Sequence, residues 1–246
     1  MEVALQTLMY TNNELALEKV FKTAQGRPIL KEFNFSLQKG EKLGLMGETG
    51  SGKTTLLKII AGLVQPTSGN VYFQQSRVKG PDEILLPGHP KIGYLSQHFE
   101  LLNNYFVHEI LDMHEKIEDR DAANIYQICK IDHLLNRKTN ELSGGERQRI
   151  ALAKTLISNP SMILLDEPFS NLDGINRKII QTVVNDIFKE KNLSCIMVSH
   201  NPGELLSWAD RLMILKEGAV VQLDTPQRIM ATPLNTYVAD IIGKTL

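Results

Sequence analysis

The sequence predicts an α/β core interrupted by a helical lobe, and two features carry the prediction. Short apolar runs bounded by Gly or Pro alternate with segments of helical spacing along most of the chain. Residues 106–157 break that alternation, because the strand signal is lost and only helical spacing remains. Strands alternating with helices indicate an α/β sheet, and a helix-only insert indicates a separate lobe.

Residues 15–46 read as short extended segments. Within them NFSLQKGEKLGLMG (34–47) alternates, turns at Lys39-Gly40 and ends in an apolar run, which suits a buried strand. TTLLKIIAGLV (54–64) is apolar at helical spacing. Strands are expected at 70–73 and 91–95, separated by the loop-forming GPDEILLPGHP. EILDMHEKIEDRDAANIYQICKIDHLL and ERQRIALAKTLI then read as helices, with HEKIEDRD (114–121) as a solvated helix face. SMILLD after Pro160 is a short strand, 174–191 a helix, and SCIMVSH a strand. RLMILKEGAVVQL is a hairpin around Glu217-Gly218, and 225–242 closes the chain with a helical segment.

The composition narrows the function. The 246 residues carry 27 Lys+Arg against 28 Asp+Glu, a net charge of −1, with 42% apolar and 22% charged residues. That is globular composition rather than disorder. A balanced charge argues against a nucleic-acid partner, since such binders carry a basic excess. No apolar run reaches the roughly 20 residues that span a bilayer, and no charged-then-apolar leader is expected at the start. The only cysteines, Cys129 and Cys195, form no CxxC, so neither a zinc site nor a disulfide framework is expected. His89, His98, His108, His114 and His133 lack metal-ligand spacing and read as structural or surface residues.

GETGSGKTT (47–55) satisfies GxxxxGK[ST] and lies between an apolar strand and a helix, the context that motif requires. Gly47, Gly50 and Gly52 let the backbone turn tightly and expose consecutive N–H groups to an anion, as do Glu48, Thr49 and Ser51 between them. Lys53 brings a cation to the terminal phosphates of a nucleotide. Thr54, followed by Thr55 at the helix start, offers a hydroxyl to Mg²⁺. In SMILLDEP (161–168), Asp166 ends an apolar strand and would face that Mg²⁺, while Glu167 could orient or deprotonate a water. LSGGERQR (142–149) is a second glycine-containing helix start. Ser143 and Glu146 form a capping-box pattern, and Gly144 and Gly145 leave backbone N–H groups open.

From about residue 15 to 243, the chain resembles the ATP-binding subunits of ABC transporters. GETGSGKTT is similar to their Walker A loop, Gln97 in IGYLSQ to the Q-loop glutamine, and LSGGERQR to the signature motif. MILLDEP is similar to Walker B, SNLD (170–173) with Asp173 to the D-loop, and His200 in IMVSH to the switch histidine. The resemblance implies a P-loop NTPase core with an N-terminal antiparallel β-subdomain and an inserted α-helical subdomain. The lobes would fall at 1–97 and 158–246 for the core and 98–157 for the insert. It also implies ATP and Mg²⁺ as ligands, with Thr54, Gln97 and Asp166 at the metal and Glu167 and His200 in catalysis. Ser143, Gly144, Gly145 and Glu146 would meet the ATP of a second subunit in a homodimer or pseudo-dimer. Separate transmembrane permease subunits would hold the pair on the cytoplasmic face of a membrane. A soluble ABC-type ATPase, such as an iron–sulfur cluster assembly ATPase, is the alternative. One position departs from the family: Ala24 stands where an aromatic usually stacks on adenine, and strand alternation predicts that Phe21 faces the other way.

Overall fold

A computed structural model describes residues 13–114, 117, 119–170, 172–190 and 193–244. Asn171 of the SNLD motif and part of the 114–121 stretch lie outside the described residues. The contacts divide the chain into two compact units, Met1–His89 with Ser194–Leu246, and Pro90–Leu193. The helices of the predicted insert fall in the second unit, together with strands on either side of them.

The first unit holds two layers of strand. β1 (Asn13–Ala24) and β2 (Arg27–Gln38) form a long antiparallel hairpin, and β1 also pairs antiparallel with β4 (Ser68–Phe73), which continues to the short β5 (Ser76–Arg77). The predicted short extended segments are therefore two strands of 12 residues each. Their periodicity was hidden by register shifts between Leu17 and Val20, Val20 and Lys22, and Lys22 and Thr23. Such bulges interrupt the alternation of faces, so parity along the strand does not fix which way Phe21 points relative to Ala24.

β3 (Lys42–Gly47) is the other centre of this unit. It pairs parallel with β8 (Ser194–Val198) on one side and with β9 (Arg211–Lys216) on the other. β10 (Ala219–Asp224) returns antiparallel on β9 through the predicted Glu217-Gly218 turn. Residues 43–47 of β3 and all of β8 are buried, as expected of parallel strands covered on both faces. α1 (Lys53–Ile60) follows β3 and buries Leu56, Leu57, Ile59 and Ile60. The buried Glu14 carboxylate accepts hydrogen bonds from Ser194 Oγ and Gln74 Nε2, which joins β1 to the start of β8. α6 (Pro202–Leu206), α7 (Pro226–Ala231) and α8 (Thr236–Ile241) complete the unit. The predicted closing segment is thus two short helices, each opened by a side-chain cap, Thr225 and Asn235.

In the second unit β6 (Ile92–Leu95) pairs parallel with β7 (Met162–Asp166). Between them lie α2 (Val107–Asp112), α3 (Asp119–Cys129) and α4 (Gly144–Ile157), and α5 (Gly174–Glu190) follows. Ile110, Leu111, Ile125, Leu134, Ile150 and Ile157 are among its fully buried side chains. α4 runs close over β6: a Cβ on Gly93 would stand 2.5 Å from Thr155 Cγ2.

Candidate nucleotide site

The phosphate loop belongs to the first unit. Its backbone turns through Gly47 at φ 150° and Gly52 at φ 100°, both outside the range of L side chains. Space adds a second constraint. A Cβ on Gly47 would lie 2.3 Å from Leu215 O, and one on Gly52 would lie 2.8 Å from Ile29 O. Neighbouring strands therefore support the loop from below. Gly218 N, in the β9–β10 turn, donates to Ser51 O at 3.1 Å. Lys53 is 6% exposed, and its Nζ donates to Gly47 O and Glu48 O at 2.8 Å each. The cation is thus fixed inside the loop rather than waving in solvent. Glu48, Thr49, Gly50 and Thr54 are exposed along the rim, and no side chain caps α1 at Gly52. A helix start of that kind carries amide hydrogens and partial positive charge suited to an anion. Thr55 is half-buried one position further along α1.

His200, also in this unit, follows β8 and is exposed. Its position is set by its neighbours. Ser199 Oγ donates to Glu204 Oε2 at 2.5 Å and accepts from Asn201 N at 3.0 Å, while Asn201 caps α6. Ala24 is exposed beside the β1–β2 turn, and Phe21 is half-buried opposite Ser68.

The carboxylates belong to the second unit. Asp166 ends β7, 3% exposed, and accepts from Tyr94 Oη at 3.0 Å. Burial, then the Asp166 charge, pushes the Tyr94 phenol well above its usual range, so it stays protonated and donates. Glu167 has φ 52° although it is not glycine, in a turn closed by Ser170 N and Oγ on Glu167 O at 3.1 and 2.9 Å. Backbone strain of this kind collects at functional sites. Gln97 Nε2 donates to Glu167 Oε2 at 3.1 Å, so these two predicted residues meet.

The second helix start lies in the same unit. Ser143 Oγ accepts from Glu146 N at 3.3 Å, and Glu146 Oε2 accepts from Ser143 N at 2.8 Å, the predicted capping box. Desolvation pushes the Glu146 carboxyl up, but the Ser143 bonds and the Arg137 and Arg149 charges outweigh it and hold the group below its ordinary value. Ser143 and Gly144 are exposed. Gly145 is buried, and a Cβ there would stand 2.7 Å from Asn176 Oδ1. Asn176 in turn donates to Asp173 Oδ2 at 2.7 Å, and Asp173 Oδ1 accepts from Ile175 N and Asn176 N. The Asn176 backbone bond, then its side-chain bond, holds the Asp173 carboxyl below its ordinary value. Sequence reading missed Tyr94, although it lies within IGYLSQ, and Asn176, three residues after Asp173; no local signal distinguishes either from an ordinary polar residue.

Residues 30–170 match the sequence model of the ABC transporter family. The glucose import ATP-binding protein GlcV of Saccharolobus solfataricus is 35% identical over 238 residues, covering 93% of this chain and 67% of that protein. The spermidine/putrescine import ATP-binding protein PotA of Trichodesmium erythraeum is 32% identical, covering 97% of this chain and 64% of that protein. The chain therefore spans about two thirds of the length of these relatives. Among solved structures, an ATP-binding cassette in a dimeric post-hydrolysis state with ADP and Pi superposes with a TM-score of 0.75 and 28% identity. The match covers 86% of this chain and 98% of that one. The chain belongs to the ABC transporter family, and its fold is that family's ATP-hydrolysing domain, a P-loop NTPase core with an antiparallel β-subdomain. Among the described residues no helix is long and apolar enough to cross a membrane.

Proposed function

We propose that this chain powers import through separate transmembrane subunits, docked on the cytoplasmic face of a membrane. The cycle would run by closing two ATP-binding subunits around ATP–Mg²⁺ and opening them after hydrolysis. The import names of both relatives favour this reading over a soluble cluster-assembly ATPase. Those names specify different cargoes, which fits a cargo read by the transmembrane partner. Residues 98–157 are proposed as the helical subdomain that communicates with that partner through Gln97.

The donor set suits the ligand. The glycine cradle that added Cβ atoms would fill, and the Lys53 cation within it, fit a polyphosphate. Thr54, Asp166 and Gln97 offer oxygens, the donor type Mg²⁺ takes. When bound, Mg²⁺ would neutralise charge developing on the transferred phosphoryl group. Gly47, Glu48, Thr49, Gly50, Ser51, Gly52, Lys53, Thr54 and Thr55 are proposed to bind and orient the phosphates. Glu167, steered by its bond from Gln97, would accept a proton from the attacking water, and His200 would hold the terminal phosphate. Ser143, Gly144, Gly145 and Glu146, together with Asp173, would complete the pocket of the other subunit.

The observation that carries the reading is the exposed, side-chain-capped Ser143-Gly144 helix start. A ligand shared by two subunits favours closure only by its differential affinity for the closed pair. Glu167→Gln is expected to retain ATP binding, to lose turnover by about a hundredfold or more, and to elute as a dimer with ATP–Mg²⁺. Adding Ser143→Arg should return it to a monomer that still binds ATP. A persisting dimer would remove the signature helix from the shared pocket.

A further inference from the structure

The phosphate loop has an anchor that no motif contains. Glu48 N donates to Tyr237 Oη at 3.3 Å, across 189 residues of sequence, and the same hydroxyl donates to Leu215 O at 2.8 Å. A phenol has one hydrogen to give and lone pairs to accept, so one hydroxyl serves both bonds. Leu215 O is also the atom a Cβ on Gly47 would strike. The Tyr237 ring itself is held in place: Lys216 Nζ lies 4.4 Å from its centroid. Burial is the main cause raising the phenol pKa, which keeps the hydrogen on the oxygen.

The peptide unit involved gives this contact its meaning. Glu48 N–H and Gly47 C=O belong to one planar, trans peptide and point in opposite directions. Tyr237 holds the N–H edge, and Lys53 Nζ holds the C=O edge at 2.8 Å. Turning that plane would break both bonds at once. Gly47, with no Cβ and φ 150°, supplies little resistance of its own to such a turn.

We propose that Tyr237 is a positioning residue for nucleotide binding: by fixing the Gly47–Glu48 peptide plane, it sets where the Lys53 amine sits. This makes the C-terminal helix α8 part of the phosphate site, although its sequence carries no nucleotide motif. The inference rests on the reading of Lys53 as the phosphate cation, and the experiment separates the two.

Full-length wild type, Tyr237→Phe and Lys53→Ala are compared by ATP calorimetry and by hydrogen exchange of the Glu48 amide. Tyr237→Phe keeps the ring over Lys216 and removes only the hydroxyl. It should raise the ATP Kd about three- to tenfold, the scale of one hydrogen bond, and speed exchange of the Glu48 amide. A Kd within twofold of wild type would overturn the proposal. So would a raised Kd with Glu48 exchange unchanged, since the effect would then bypass that peptide. Lys53→Ala distinguishes the layers: unchanged affinity there defeats the phosphate-loop reading, whereas lost affinity there beside a normal Tyr237→Phe defeats only the role of Tyr237.

Discussion

At the start of α1 no side chain caps the helix, and Gly52 takes a left-handed conformation at φ 100°. At the start of α4 Ser143 is extended at φ −66°, and its hydroxyl and the Glu146 carboxylate close a reciprocal cap. Both helix starts carry glycines, yet the glycines answer different demands. In the phosphate loop they permit a backbone path closed to other residues. In the signature helix neither Gly144 nor Gly145 has a positive φ; at Gly145 the demand is for space beside Asn176, and at Gly144 the isolated chain makes neither demand. The caps differ in consequence as well. The α1 start relies on an incoming anion for an acceptor, and Lys53 stands ready beside it. The α4 start already satisfies part of its own hydrogen bonding, so alone it attracts an anion less. That suits a lip that closes on a nucleotide bound elsewhere.

Gly52→Ala tests the conformational half of this contrast and should have the largest effect. The new methyl must adopt φ near 100° and meets Ile29 O at 2.8 Å, a backbone atom that cannot swing aside. A cost of about 3 kcal/mol or more is expected, from strain and overlap together. Urea unfolding should show it, together with loss of ATP binding. A variant of wild-type stability would mean that the loop can be rebuilt without glycine.

How much of this was legible in the sequence differs between the two helix starts and their surroundings. The phosphate loop and the capping box are contiguous strings, and the structure reproduces the glycine turn before α1 and the reciprocal cap at α4. The strands β3, β7 and β8 were legible for a related reason, since covered parallel strands leave unbroken apolar runs. β1 was misread because its bulges erase the two-residue period that would identify a long strand. Tyr94 on Asp166 and Tyr237 on Glu48 were invisible because 72 and 189 residues separate the partners. No local pattern encodes such pairings, which exist only once the strands have set the chain's course.

Gly145→Ala is the intermediate case. Its φ is compatible with alanine, but the added Cβ would lie 2.7 Å from Asn176 Oδ1. That is overpacking rather than strain, with a cost of about 1–3 kcal/mol. Because the obstacle is a side chain, Asn176→Ala should relieve it. The double variant is expected to unfold at a higher urea concentration than Gly145→Ala alone. Additive losses would show that Gly145 is constrained by something other than the Asn176 side chain, and the spatial account of this glycine would fail.

Gly144→Ala should perturb the isolated chain least, because an added Cβ has no atom within 4 Å and the residue is exposed at the first turn of α4. Removing glycine's freedom in the unfolded chain should make the protein up to about 0.5–1 kcal/mol more stable. The same methyl would stand in open space, one residue after the Ser143 cap. If that space receives the phosphates of a second subunit, Gly144→Ala in a Glu167→Gln background should weaken ATP-dependent dimerisation about tenfold, while ATP binding to the single chain stays unchanged. Sedimentation with and without ATP–Mg²⁺ measures the first, and calorimetry the second. Stability that rises while dimerisation falls is the signature of a glycine kept for a partner rather than for the fold. A rise in both would leave Gly144 as an ordinary unfavourable helix residue and would confine the functional glycines to the phosphate loop.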